Sequence, residues 1–352
     1  MLPVEVIHHV MSALDDVSFC AARLAHRSFC VHSRAEIVKA RKLLRWLAAN
    51  QRALCAQGKT EAVDALCDAG VTFTFADLIE AAAGGHLGVV RRLHPIVSPY
   101  TLTYIKSNAA AHRMYNSLSP RPTDALNRAA AGGHIDVVRF LHENRTEGCT
   151  TYAMDVAAAE GHLDIVRFLH ENRAEGCTTY AMDDAAVRGH LDVVRFLHEN
   201  RTEGCTTYAM DAAADDGYID IVRFLHENRA EGCTSSAMDD AAASGHLNVV
   251  RFLHEHRSEG CSTNAMDWAA QYERCAERPN VVVFLYRHRT EGCTPDAILH
   301  ADSDEIKTFL RRRYAIRGNR AVRRPVAQKR RRHKRRNKRA KRLLGFDLLG
   351  LL

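Results

Sequence analysis

No window of this 352-residue chain approaches 18 consecutive apolar residues, which argues against a membrane span. No basic stretch precedes an apolar run after Met1, so a cleaved secretory signal is not expected. The eleven cysteines include no CxxC pair, and an odd count suits no small disulfide framework. A reducing compartment with free thiols is therefore expected. Also missing are a nucleophile elbow, a phosphate-binding glycine loop and an HExxH pair. The glycines of "AAAGGHLG" (Ala81–Gly88) open no dinucleotide-binding unit, because their flanks read as helical. Nothing supports catalysis, and no cofactor is expected.

Acid is absent from one region in particular. Residues 311–342 hold 18 of the 49 Lys and Arg and no Asp or Glu. Residues 1–310 then carry 31 basic and 41 acidic side chains, a net charge of −10. The chain pairs an acidic body with a strongly basic tail, an asymmetry that bears on its partners. With 46% hydrophobic residues, it has the composition of a folding chain.

The body is a repeat. "EGCTTYAMD" (Glu203–Asp211) has near-copies starting at Glu147, Glu175 and Glu231. Cys149, Cys177, Cys205, Cys233 and Cys261 follow one another with a period of 28, and Cys293 comes after 32. A glycine–histidine step keeps the same period at Gly133-His134, Gly161-His162, Gly189-His190 and Gly245-His246, with Tyr218 replacing His after Gly217. An earlier step at Gly85-His86 lies one period plus an insertion of 20 away. A fixed period of this size predicts stacked structural units.

One unit reads as a helical hairpin. Thr178 and Thr179 offer N-cap hydroxyls, and Met182, Ala185 and Ala186 share one face of a short first helix. Gly189 permits a left-handed turn. "LDVVRFLHENR" is a second helix with Leu191, Val194, Phe196 and Leu197 apolar, Asp192 at its start and Arg201 at its end. His142, His170, His198 and His226, late in the second helices, are placed to neutralise the negative helix ends. One hairpin cannot bury its apolar face alone; stacked copies can.

These letters resemble the ankyrin repeat: the Ala-Ala pair, the Gly-His turn, the "DVV" opening and the "FL" close, over roughly residues 52–312. Tyr180-Ala181-Met182-Asp183 stands where the family has Thr-Pro-Leu-His, and a period of 28 is shorter than the family's unit near 33. The fingers between hairpins are therefore expected as tight loops. In the family, the Gly-His imidazole bonds backbone across the turn. Metal binding by the periodic Cys and His is disfavoured, since successive cysteines belong to successive layers. A structural role is preferred.

Between copies, the variable positions are informative. Tyr152, Tyr180, Tyr208, Ser236 and Asn264 form one set; Val156, Asp184, Ala212, Asp240 and Trp268 a second; Glu160, Arg188, Asp216, Ser244 and Tyr272 a third. At i, i+4 and i+8 they form a stripe on the first helix, expected to face outward. The ankyrin resemblance implies that this stripe lines a concave surface for an unknown protein target. An idle solvent face is the alternative, and Trp268 with Tyr272 favours a partner. The final units lose the Gly-His step and end in charge, as a polar cap should.

"LPVEVIHHVMSALDDVSFCAARLAHRSF" (Leu2–Phe29) shows helical spacing at Val6, Val10, Met11 and Leu14. It resembles an F-box in its Leu2-Pro3 opening, Glu5, spaced aliphatics and Arg27/Phe29 close. That resemblance implies binding of a Skp-type adaptor of cullin–RING ubiquitin ligases, with Leu2, Pro3, Val10 and Leu14 as the adaptor edge. A plain N-terminal cap is the alternative. The layout of F-box and short repeats is similar to multigene families of giant viruses that infect amoebae.

"KRRRHKRRNKRAKR" (Lys329–Arg342) carries Lys329, Arg330, Arg331, Arg332, Lys334, Arg335, Arg336, Lys338, Arg339, Lys341 and Arg342. It suits an importin or a polyanion, with a solvated spacer as the alternative. No aromatics interleave it, so base stacking is not expected.

The expected fold is all-α, an ankyrin-like solenoid. An F-box-like module covers 1–45, degenerate first repeats 46–95, an insertion 96–120, repeats of period 28 with a cap 121–313, and a disordered basic tail 314–352. The expected function is a non-catalytic receptor linking a repeat-bound target to a ubiquitin ligase. A plain ankyrin scaffold and a nuclear nucleic-acid-associated protein are the alternatives. A monomer inside the cell, in cytoplasm or nucleus with the tail favouring the nucleus, is expected.

Overall fold

The computed structural model describes residues 42–97, 121–271, 278–301 and 303–315. The chain divides into two units, Met1–Thr234 and Ser235–Leu352. Among the described residues every regular element is a helix, and no helix is long and apolar enough to cross a membrane.

The first unit is a series of hairpins: α1 (Gln51–Ala56) with α2 (Thr60–Asp68), α3 (Phe75–Ala83) with α4 (Leu87–Leu93), and α5 (Asp124–Ala131) with α6 (Ile135–Asn144). Then follow α7 (Thr151–Ala159) with α8 (Leu163–Asn172), α9 (Thr179–Val187) with α10 (Leu191–Asn200), and α11 (Thr207–Asp215) with α12 (Ile219–Asn228). The second unit holds α13 (Ser235–Ser244), α14 (Leu247–His256), α15 (Thr263–Gln271), α16 (Arg278–His288), α17 (Pro295–Leu299) and α18 (Asp304–Ala315). Arg311, Arg312 and Arg313 on α18 are exposed.

The local chemistry explains each hairpin. Thr178 stands at the N-cap of α9 in an extended conformation, and its hydroxyl accepts from the Tyr180 N–H at 3.2 Å. The first helices are short and rich in alanine because neighbours press on two sides. Ala153, Met154, Ala157 and Ala158 are all buried. The second helices turn one face inward: Ile165, Val166 and Leu169 on α8, and Val193, Val194 and Leu197 on α10, are buried. Each side chain of that size removed from water contributes about 1.5–3 kcal/mol before entropy is counted. Arg201 stands at the C-cap of α10, but its guanidinium is bound to Glu203 in the loop rather than to the helix end.

The layers are coupled by one recurring carboxylate. Asp155 on α7 accepts from the Thr178 N–H at 2.7 Å and the Thr178 hydroxyl at 2.9 Å. Asp183 holds Thr206, and Asp211 holds Thr234, in the same way. In the second unit Asp239 holds Ser262, and Asp267 holds Thr294. An asparagine takes the same place on α5: the Thr150 N–H donates to Asn127 Oδ1 and the Asn127 amide donates to the Thr150 hydroxyl, both at 3.1 Å. Burial pushes the Asp183 carboxyl up, and the two bonds from Thr206 oppose that shift.

The insertion, outside the described residues from 98 to 120, leaves the stacking of its flanks intact. The His134 ring nitrogen Nε2 meets the Ala83 carbonyl at 3.0 Å. Arg145 reaches across to donate to the His94 and Val97 carbonyls and sits over the Phe75 ring at 5.3 Å.

Replacing Asp183 by Ala should destabilise the first unit by about 1.5–3 kcal/mol, since two bonds to a charged acceptor are lost. Asp183→Asn should cost less, because Asn127 already makes the equivalent pair of bonds. Urea unfolding of the full chain followed by helicity measures both.

Candidate functional site

The periodic cysteines lie in the loops between hairpins. Cys149, Cys177 and Cys205 are buried and free. Each loop is closed by an Arg–Glu pair two residues apart: Arg145–Glu147 at 2.6 Å, Arg173–Glu175 at 2.5 Å, then Arg201–Glu203 and Arg229–Glu231. These pairs also reach back to the preceding loop. Glu175 accepts from the Cys149 N–H at 3.4 Å, and the Arg173 guanidinium lies over Gly148. Gly148 has φ of +71° and no room for a Cβ, which would run into that guanidinium. The loops are thus short stacked fingers whose cysteine is a filler. Among the described residues no three His, Cys, Asp or Glu side chains stand close enough together to hold a metal ion.

Desolvation sets the thiol chemistry. It pushes Cys177 up to about 12 and Cys149 and Cys205 up to about 11. The Arg201 guanidinium pulls the other way on Glu203, holding it down at about 2.

The Gly-His rings lie over the glycine of the layer before. His162 occupies the space a Cβ on Gly133 would need, where φ is +75°. His86 Nε2 meets the Ala56 carbonyl at 2.8 Å, so the bond goes to the preceding hairpin. The later histidines stand in the last turns of their helices, and their rings also pack across layers. The His142 ring meets Phe168 edge-on at 5.4 Å, His170 meets Phe196 at 5.6 Å, and His198 meets Phe224 at 5.5 Å. Arg139, Arg167 and Arg195 lie over those same rings at 5.0, 4.9 and 5.5 Å. The letters "RFLH" therefore form an outer seam, each phenyl held by the arginine and histidine of the layer before.

The variable stripe divides between surface and core. Tyr152, Tyr180 and Tyr208, each the second residue of its helix, are 46%, 65% and 37% exposed. Val156 does not face outward: it is 6% exposed, packed into the core. The position i+4 from the tyrosine lies at the edge between neighbouring helices, where an apolar side chain is drawn inward. Asp184 at that position in the next copy is half-buried, and burial raises its carboxyl pKa. Glu160 and Arg188 are bonded to each other across layers at 2.7 Å. Asp216, exposed, stands at the C-cap of α11. In the second unit Asp240 and Trp268 are half-buried. Tyr272 lies outside the described residues, as do Leu2, Pro3, Val10 and Leu14 and every basic residue of Lys329–Arg342.

Sequence comparison identifies the repeat. The family description "Ankyrin repeats (3 copies)" matches residues 157–236 and 181–267, and "Ankyrin repeats (many copies)" matches 126–170. Residues 126–267 are thus similar in sequence to ankyrin repeats. Ankyrin repeats form a protein–protein interaction scaffold, and nothing in these matches points to catalysis. The crystal structure of the ankyrin repeat domain of human ASB11 is similar at 16% identity, with a TM-score of 0.37, over 67% of this chain and 97% of that one. No curated protein sequence matches. In these repeats the Asp of "AMD" was the residue that motif reading passed over. Its signal was its constancy while neighbours three places away changed.

Two measurements test the loop chemistry. Cys149, Cys177 and Cys205 should alkylate at least about a hundredfold more slowly in the native chain than in urea, because little thiolate forms. Their folded pKa values lie above the unfolded value of 9.0, so the neutral thiols add stability that is intact below pH 9 and lost as pH climbs through 11 to 12. Substituting all three by Ala should flatten the loss of stability measured between pH 9 and 11.

Proposed function

We propose that this protein is a non-catalytic substrate receptor. Its first-helix face, carrying Tyr152, Tyr180 and Tyr208, captures a protein target, and its N-terminal segment engages the Skp-type adaptor of a cullin–RING ubiquitin ligase. The observation that carries the target-binding half is the row of exposed tyrosines at one position in three successive layers. A large aromatic left open three times over, on a scaffold built for protein contacts, is the kind of anchor on which interfaces depend. The adaptor half is supported by the F-box-like letters from Leu2 to Phe29, a segment too short to form a strong core alone.

An apolar helix face laid in a groove relies on a few anchors, so Leu2→Ala with Pro3→Ala should weaken adaptor capture by about 2 kcal/mol, roughly thirtyfold. The melting temperature of the repeats should stay unchanged in that double variant. Unaltered capture, or none by the wild type, would remove the ligase link and leave an ankyrin scaffold.

The basic tail favours a second role, nuclear entry with polyanion binding. If about eight phosphates are neutralised, log affinity should fall with log salt at a slope of roughly −6 to −7. Removing residues 311–352 should abolish both the binding and nuclear accumulation. Nuclear retention of the shortened chain would exclude the tail as the import signal.

A further inference from the structure

The last helix of the second unit, α18, has one covered side and one open side. Ile306 and Leu310 are buried, α18 packs on α17, and the Phe309 ring meets Tyr286 edge-on at 5.3 Å. A groove of about 750 Å³ runs along the other side. The described residues that line it are Asp304, Glu305, Thr308, Phe309, Arg312 and Arg313, all on α18. Phe309 is half-buried and the other five are exposed.

The charge on this face is split along the helix. Asp304 and Glu305 stand in the first turn, and Arg312 and Arg313 in the last. That order suits the helix's own dipole. Among the described residues, Asp304, Glu305, Arg311 and Arg312 have no ion-pair partner, while Arg313 lies over the Tyr286 and Phe309 rings at 5.8 and 6.0 Å.

The same order makes the face complementary to itself. Glu305 and Arg312 lie equally far on either side of the step from Thr308 to Phe309. On the helical period they differ by only about 20° around the axis, so both point along one line. A second α18, reversed about that step, sets the first turn of each helix along the last turn of the other. Glu305 then faces Arg312 of the other copy, and the two-fold axis makes that pair twice. Asp304 falls on the flank that carries Arg311 of the other copy, and the two Phe309 rings come together beside the axis. The helix dipoles run opposed, which adds to the attraction. The chain's own tail does not match this face. With 18 basic residues and no acid in 311–342, it would suit the two acids and be repelled by the arginines.

We propose that the open face of α18 is a two-fold surface for a second copy of this chain, with Glu305 of each copy paired to Arg312 of the other and Phe309 at the axis. A dimer then takes the place of the monomer expected from the sequence. It stands independently of the target-binding and adaptor readings. It also brings two basic tails into one particle. One helix of 12 residues from each copy covers less than the roughly 1,200–2,000 Å² of a stable interface, so the association is weak, with a Kd of about 10 µM.

Sedimentation of the nuclease-treated full chain at about 0.15 M salt tests this. Between roughly 1 and 100 µM the chain should pass from monomer to dimer. Glu305→Arg and Arg312→Glu should each weaken the dimer by at least about tenfold, because each sets two pairs of like charges together. Mixed in equal amounts, the two variants should recover a dimer, since each then meets the opposite charge. The double variant, with the charges exchanged, should recover it as well. Helicity measured on each single variant reports any loss of α18 itself, and recovery on mixing shows the helix intact. A wild-type monomer at about 100 µM, single variants that associate like wild type, or a mixture that stays monomeric would each overturn the proposal. Removing residues 316–352 should leave the dimer in place; a dimer lost with them would assign the association to the tail instead.

Discussion

The bond between each buried or half-buried aspartate and the threonine or serine that opens the next hairpin is the constraint from which the stack follows. Asp155 to Thr178, Asp183 to Thr206 and Asp211 to Thr234 each span 23 residues. The acceptor sits in the middle of one first helix, and the donors are the cap of another. A carboxylate taken that far out of water is tolerable only when its oxygens are met. The next helix therefore has to begin where it does, which fixes its height and rotation relative to the last. The Arg–Glu fingers and the Gly-His rings then fall into register, because each also acts on the layer before it.

Within the stack, side chains sort by what the neighbouring layer leaves open. Cysteine fills a finger beneath an arginine, phenylalanine is covered on the outer seam, and the tyrosines at the second position of α7, α9 and α11 remain exposed. The same rule explains Val156. Its neighbours in the equivalent position, Asp184 and Asp240, are half-buried, so the site is an edge that an apolar residue can close. The exposed row repeats one open aromatic position in three successive layers of the first unit.

Periodicity made the hairpins readable. Gly189, Thr178 and the apolar letters of "LDVVRFLHENR" define a turn, a cap and a buried face by local rules alone; the turn and cap hold in the structure, and Val193 joins Val194, Phe196 and Leu197 in the buried face while Leu191 is half-buried. What sequence could not separate was contact within a hairpin from contact between hairpins. Arg201 read as a helix-end charge, yet it binds Glu203 and packs on Gly176 of the previous loop. His142 does stand in the last turn of its helix, and its ring also meets Phe168 of the next layer, a contact the letters do not show. Asp183 carried no local signal, because its partners are 23 residues away and its burial comes from the stack. The same limit applies to the stripe, where tyrosine and valine at neighbouring positions look alike on a helical wheel but meet different neighbours.

The constant separation between aspartate and its partner has a consequence for inheritance. Where the following unit is longer, between Cys261 and Cys293, the bond from Asp267 to Thr294 spans 27 instead, and its geometry is the same. Each layer thus asks only that the next one open with a hydroxyl and a free N–H. Deleting or duplicating one whole repeat would rejoin an aspartate to an equivalent threonine and leave no acceptor stranded. A gene carrying such near-identical units can misalign during copying and still encode a chain that folds. Its number of layers, and with it the length of the open tyrosine row, can change in a single event.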